Sequence, residues 1–478
     1  MVGLVCARGE FGIPSGSPFL RVDVAFKDCY YRFAMKQNWS THFSRFKNNF
    51  KQLILWLSPG LGVKRWFLLL LLGTTMLAVG LAFVLLDIYR QAPDNWVSTL
   101  LSYISLQFLP RILRALIFGS IGVGMVLFGV TRLNRTLMRP FIRPGKPVVN
   151  TLVQYSRLDR GPNVVVIGGG HGLATLLRGL KKFTRNITAI VTVADDGGSS
   201  GKLRESKGML PPGDIRNCLA ALSSDEDLIT QLFQYRFTAD EPDLAGHSFG
   251  NLLISALTEI TGSFELAVVE AGRALSVNGQ VIPSTLKDVR LVADKSLPHI
   301  RREVRVTGES QIPEVGGEVR RLWLEPNNPP AYPAAVRALL GADMIVVGPG
   351  SLYTSILPNL LVPDIHSAMR SSKAFKVFVC NVTTQPGETD DYDCRDHILA
   401  IEEHVGHDLF DMVVSNCETI GILPQGLKWV EATPELDEDY AVYRANLIDP
   451  EEVHRHDSDK LARALIDLYM ERTGPLVI

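Results

Sequence analysis

Hydrophobic and polar positions follow two regimes along this chain. In the first, Trp66–Leu86 (WFLLLLLGTTMLAVGLAFVLL) runs 21 residues without a charge, and Ala115–Thr131 (ALIFGSIGVGMVLFGVT) runs 17. At about 1.5 Å per residue the first run spans roughly 30 Å, the thickness of a bilayer core. The second is at the short end of that range, with Arg114 and Arg132 placed to snorkel and a small-xxx-small pair at Ser120 and Gly124. Cations cluster before the first run (Lys47, Lys51, Lys64, Arg65) and after the second (Arg132, Arg135, Arg139, Arg143, Lys146). The positive-inside rule then predicts a hairpin with both ends in the cytoplasm, so that the main domain is cytoplasmic at an inner or plasma membrane. The expected division is a leader over 1–65, in which Met35 is a candidate true start, a two-helix membrane hairpin over 66–135, and a linker over 136–157.

Beyond residue 158 the pattern changes to short apolar runs alternating with helical periodicity, the signature of an α/β domain over 158–478. Asn163–Ile167 reads as a buried strand followed by a glycine turn and a helix, and Ile187–Val193 as a second strand. Helices are expected at Asp225–Tyr235, Phe249–Ile260 and Ser263–Ser276. Asp343–Val347 repeats the strand, glycine turn and helix, and Lys376–Asn381 and Asp411–Ser415 complete a mostly parallel sheet with helices on both faces. Gln280–Glu325, rich in Val, Arg and Gly, reads as a small β insertion. The last helix, about Ser458–Met470, is expected to start at a serine N-cap and to bury Leu461, Leu465 and Leu468.

Charge and cysteine content narrow the classes. A net charge of −1 with no long basic segment argues against nucleic acid as a partner. Cysteines at 6, 29, 218, 380, 394 and 417 show no CxxC spacing, so neither a zinc ribbon nor a disulfide framework is indicated.

The candidate chemistry lies in the turns. Gly168-Gly169-Gly170-His171-Gly172 sits between a strand and a helix, where backbone N–H groups and the helix dipole hold phosphate. Leu173 replaces the glycine that a GxGxxG fingerprint needs, so NAD is not expected. Ala194–Leu203 (ADDGGSSGKL) fails as a P-loop, with Asp196 for the first glycine and Leu203 for the hydroxyl residue. It leaves Asp195 and Asp196 as candidates for binding Mg²⁺ or for taking a proton, beside Ser199 and Ser200. Asp214 is placed to cap the following helix, and Arg216 and Asn217 fall in its first turn, where a cation suggests a nearby anion. His247 and Asn251 open a further helix, and Gly348, Gly350, Ser351, Leu352, Thr354 and Ser355 form a second phosphate- or ribose-contacting helix start. Four such turns in one domain favour a shared anionic ligand.

The segments IGGGHGL, TVADDGGSSG, PPGDIRNCL, AGHSFGNLL, GPGSLYTSILPNLL and CNVTTQPGETDDY occur in this order over about residues 163–392. Together they resemble the gluconeogenesis factor family (YvcK-like), relatives of the 2-phospho-L-lactate transferases (CofD-like). The resemblance implies a Rossmann-like fold and a nucleotide-diphosphate site, taking a UDP-sugar in one branch and a guanine nucleotide carrying phospholactate in the other. Carried onto this chain, it places nucleotide contacts on Gly169, Gly170, His171, Gly172, Gly350, Ser351 and Leu352. The acceptor or metal side falls on Asp195, Asp196 and Ser199, near Asp214, Arg216 and Asn217. His171 stands where the family usually has Thr, which bears on nucleotide choice. The resemblance also implies a link to gluconeogenic growth, cell shape and peptidoglycan precursor supply, with wall-synthesis or regulatory proteins as partners; a homo-oligomer is the expected state. Two activities remain open from sequence: a regulatory UDP-sugar-binding factor, or a Mg²⁺-dependent transferase with Asp195 and Asp196 as catalytic groups.

Overall fold

The computed structural model of the chain describes residues 106, 109–138, 158–224, 226–238, 244–297 and 302–474, with isolated positions 72, 74–76, 78 and 82. The chain divides into two units, Met1–Gln154 and Tyr155–Ile478. In the first, Ala115–Thr131 lies inside a single 28-residue helix, α1 (Arg111–Met138). Among the described residues no helix is long and apolar enough to cross a membrane. The expected transmembrane hairpin is therefore not found there: the uncharged run inside α1 falls short of the roughly 20 residues a span requires. The first run, Trp66–Leu86, lies outside the described residues except at the isolated positions named above.

The second unit is built on β1 (Val164–Gly168), whose five residues VVVIG are all buried. A central parallel strand is covered on both faces, which is why its sequence shows no alternation. After β1 come α2 (Gly170–Leu180), β2 (Ile187–Val191), α3 (Gly198–Lys207), α4 (Gly213–Leu222), α5 (Glu226–Gln234), α6 (Phe249–Thr261), α7 (Phe264–Ala274) and β3 (Gln280–Pro283). A three-stranded insertion follows, β4 (Arg290–Ser296), β5 (Val304–Thr307) and β6 (Glu318–Glu325). The chain then supplies α8 (Pro333–Leu340), β7 (Met344–Val347), α9 (Pro363–Ser371), β8 (Phe375–Val379), α10 (Cys394–Val405), β9 (Met412–Asn416), β10 (Val442–Ala445) and α11 (Ser458–Thr473).

The main sheet has seven strands in the order β10-β9-β8-β7-β1-β2-β3, and every pairing in it is parallel. It is a Rossmann-like α/β sheet that grows outward from β1 in one direction, then returns to β1's other side at β7. That reversal is a topological switch point, the place where open parallel sheets bind ligands at their carboxyl ends. Register fixes the geometry: Val164 is level with both Ile187 and Met344, and Ile167 with Val347. The turns after β1 and β7 therefore emerge side by side.

Several expectations shift. The β insertion begins at Arg290 rather than Gln280, because β3 pairs with β2 as the edge of the main sheet. The insertion is antiparallel, in the order β5-β4-β6, with an irregularity between Asp294 and Lys295. Lys295 is fully buried, and its Nζ donates to Ile312 O (2.6 Å) and Gly387 O (2.9 Å), tying the insertion to the main domain. Asp457, not Ser458, caps α11, accepting from the backbone N–H groups of Asp459 and Lys460. In that position its carboxylate satisfies two of the amides that the helix start leaves without intrahelical acceptors. α11 crosses α2 at Gly179, where a Cβ would stand 1.9 Å from Ser458 O. The α2 residues Leu173, Leu176, Leu177 and Leu180 are fully buried in the core.

Candidate functional site

The two glycine turns of the switch point close on each other. Gly169 precedes α2 in extended conformation, and Gly170 (φ 64°) turns the chain in the left-handed region that glycine adopts without strain. A Cβ on Gly172 would stand 2.6 Å from Pro349 O and 3.1 Å from Gly350 Cα, so this position requires glycine for close approach. On the β7 side Gly348 also has positive φ, and Gly350 lies against Gly169 O. Asn381, just past β8, holds this second turn: its Nδ2 donates to Gly350 O (2.8 Å) and its Oδ1 accepts from Gly350 N (3.1 Å). Asn359 Nδ2 donates to Gly168 O (2.9 Å) and Ser355 O (2.8 Å), locking the first turn to the second.

The helix expected after Gly350-Ser351 starts instead as a π-turn, Leu352–Ile356, in which Ile356 N donates to Ser351 O. Leu352 is fully buried, and Thr354 donates its hydroxyl to Glu388 Oε1 (3.0 Å), so both face the interior. Ser351 Oγ accepts from Gln385 Nε2 (2.6 Å), and Ser355 lies against Gly169. His171 is exposed beside the turn; packing around its ring, then Arg455, Arg216 and Arg178, hold its pKa below the ordinary imidazole value.

Facing it is an acidic wall. Asp214 lies in the first turn of α4, with Pro212 at the N-cap position and no side-chain cap, so it does not cap the helix as expected. Its carboxylate accepts from the Gly170 N–H instead, and burial followed by the charge of Asp195 pushes its pKa up to about 7. The reason is packing: a Cβ at Gly169 would stand 2.4 Å from Asp214 Oδ2, so α4 is pressed against the β1 turn. The two adjacent aspartates take different partners. Asp195 Oδ1 accepts from Gly197 N (2.9 Å), and burial raises its pKa. Asp196 accepts from Glu309 N (3.2 Å) and Ser310 N (2.9 Å), clasping the insertion's loop. That clasp brings Glu309 to the wall, where burial, then Asp195, Asp214, Glu388 and Asp196, push its pKa up to about 8. Among the described residues no three His, Cys, Asp or Glu side chains converge closely enough to hold a metal ion unaided.

A third wall joins α3, α4 and α6. Ser248 caps α6, accepting from Asn251 N (3.4 Å), and Arg216 Nη1 donates to the same hydroxyl. Arg216 also donates to Asn217 Oδ1 (2.8 Å), and its Nε, in a residue 7% exposed, has no acceptor. Ser199 Oγ lies 3.0 Å from His247 Nδ1 and accepts from Asn251 Nδ2 (3.0 Å). Ser200 Oγ points to the α4 start, 2.5 Å from where a Gly213 Cβ would sit.

The turns after β1, β2 and β7 and the starts of α4 and α6 thus meet through these contacts, while Leu352 and Thr354 turn inward. Glu309, Asn359, Asn381, Gln385 and Glu388 were not singled out. Asn381, Gln385 and Glu388 fall within CNVTTQPGETDDY, where polar residues after a buried strand were the available signal; Glu309 in the insertion offered none.

The family profile described as 2-phospho-L-lactate transferase CofD matches residues 164–446. A relative from Nostoc sp. assigned to the gluconeogenesis factors is 46% identical over 382 residues, covering 78% of this chain and 80% of its own. The gluconeogenesis factor of Bacillus subtilis is 44% identical over 326 residues, covering 66% of this chain and all of its own, 100%. A crystal structure of a UPF0052-family protein from Bacillus halodurans is 42% identical and superposes with a TM-score of 0.60, covering 64% of this chain and 99% of its own.

Proposed function

This chain belongs to the gluconeogenesis factor family and carries a CofD-type domain, and from that premise we propose that it is a regulatory factor that binds a nucleotide diphosphate of the UDP-sugar class. The ligand lies across the switch point, its diphosphate against the first N–H groups of α2 at His171 and Gly172 and its remaining half toward Ser199, Arg216 and Asn251. The observation that carries this reading is the pair of glycine turns packed to backbone contact at Gly172 and Pro349. Such contact leaves no room for side chains between the turns and sets the α2 N-terminus at the switch point, where its dipole favours an anion. The regulated process is cell-wall precursor supply during gluconeogenic growth. Isothermal titration of the full chain with UDP-N-acetylglucosamine tests it. Saturable binding without turnover is expected, with stabilisation of about 2.7 kcal/mol at a hundredfold excess over Kd; no heat and no stabilisation from any UDP-sugar refutes it.

The acidic wall favours a second reading, a Mg²⁺-dependent transferase acting on a nucleotide-diphosphate donor. Mg²⁺ commonly uses one or two carboxylates and completes its shell with phosphate oxygens and water. Of the two carboxylates expected to hold the ion, Asp195 and Asp196, the second already accepts from Glu309 N and Ser310 N, so Asp195 would be its first ligand; the ion when bound neutralises charge on the diphosphate. Transfer of a phospholactyl group from such a donor, abolished in Asp195→Asn, is the result this reading requires.

A further inference from the structure

Ser199 is the second residue of α3, and its hydroxyl lies between two side chains of the α6 start. Asn251 Nδ2 donates to it (3.0 Å), which occupies one lone pair and leaves its own proton to be placed. His247 Nδ1, at 3.0 Å, is the acceptor in reach. Both partners are held from outside. Asn251 sits in the first turn of α6 under the Ser248 cap, and the His247 backbone is fixed by His247 N to Leu244 O (3.0 Å) and Phe237 N to His247 O (3.1 Å). Burial and then Lys202 lower the His247 pKa, a shift in the direction of the neutral ring that can accept.

The surroundings suit an electrophile rich in negative charge. Helix geometry leaves the first amides of α3 without intrahelical acceptors, and they face anions favourably. Nothing lies within 4 Å of the place a Gly198 Cβ would occupy, so the start of the helix is open to an approaching group. The neighbouring Arg216 Nε, buried without an acceptor, is a further donor.

We propose that Ser199 and His247 are a nucleophile–base pair that takes a phosphoryl group from a nucleoside diphosphate bound in the cleft. In the step, Ser199 Oγ forms a bond to the terminal phosphorus while the bond from that phosphorus to the bridging oxygen breaks. The Oγ proton passes to His247 Nδ1, and nucleoside monophosphate leaves, giving phosphoserine at position 199. This deepens the nucleotide-binding reading above and rests on it for the cleft; the donor is the free nucleoside diphosphate, since in a UDP-sugar the outer phosphorus carries the sugar and has no terminal phosphoryl group to give.

The test uses the full chain with UDP and Mg²⁺, and separately with acetyl phosphate, a donor that needs no nucleotide site. Peptide mass spectrometry is expected to find one added phosphoryl group on Ser199, with matching release of UMP or acetate. Ser199→Ala and His247→Gln abolish it; the glutamine variant keeps a hydrogen-bonding side chain but cannot take the proton, so a merely structural role predicts no loss. Circular dichroism melting confirms that each variant folds, and UDP titration of the wild-type chain reports on the cleft. UDP binding without modification from either donor overturns the pair and leaves the cleft reading standing. Labelling by acetyl phosphate that depends on His247, with no UDP binding, supports the pair and refutes the nucleotide donor. Modification elsewhere, or undiminished in His247→Gln, refutes the pair.

Discussion

Asn381 and Gly350 grip each other in both directions, side-chain amide to backbone carbonyl at 2.8 Å and backbone amide to side-chain carbonyl at 3.1 Å. The two residues belong to turns after neighbouring strands, β8 and β7, so the clasp sets the second glycine turn relative to the sheet.

Asn381→Ala removes both halves and leaves the Gly350 amide to find another partner. A stability loss of about 1–3 kcal/mol is expected, together with a weakening of UDP-N-acetylglucosamine binding of at least about tenfold. Asn381→Asp keeps the acceptor and loses the donor, so it falls between. Urea denaturation and calorimetric titration of the variants check this; wild-type affinity in Asn381→Ala shows that the clasp does not shape the site.

Gly172→Ala places a Cβ 2.6 Å from Pro349 O, a backbone atom that cannot swing away. The β1 and β7 turns must separate, at a cost of about 1–3 kcal/mol by the usual scale of overpacking. Binding falls more than stability, because the separation occurs where the ligand sits. Gly198→Ala, with nothing within 4 Å of its Cβ but a φ of 45°, controls for strain alone. Equal effects of the two substitutions on binding contradict the close-approach account.

The acidic wall makes stability depend on pH with a defined sign. Asp214 is raised to about 7 and Glu309 to about 8, so each is protonated in the folded protein where the unfolded chain has lost its proton. Folding binds extra protons over that window, and stability falls as pH rises from the ordinary carboxyl range, about 4, through about 7 and about 8. Denaturation midpoints measured from about pH 5 to about pH 8 check it: the decline flattens in Asp214→Asn with Glu309→Gln. An identical slope in wild type and double variant removes these two groups as its source.

Local sequence by itself determined the parts that need only neighbours in the chain. An uninterrupted apolar run such as VVVI followed at once by glycines specifies a buried strand and a tight turn into a helix, and that logic located β1, β7 and the turns at their ends. The order of six motifs was enough to identify the family. Tertiary structure decided which turns meet and what each side chain does there. Ser199 lies on α3 and His247 in the loop just before α6, and Asp196 accepts from Glu309 N in a loop of the insertion, contacts that no local periodicity encodes. The placement of β3 in the main sheet, and of Asp214 against Gly170 rather than at a helix cap, came from packing across the switch point. The raised carboxyl pKa values arise in the same way: they depend on burial and on charges brought close by the fold, which exist only once the sheet has ordered its strands.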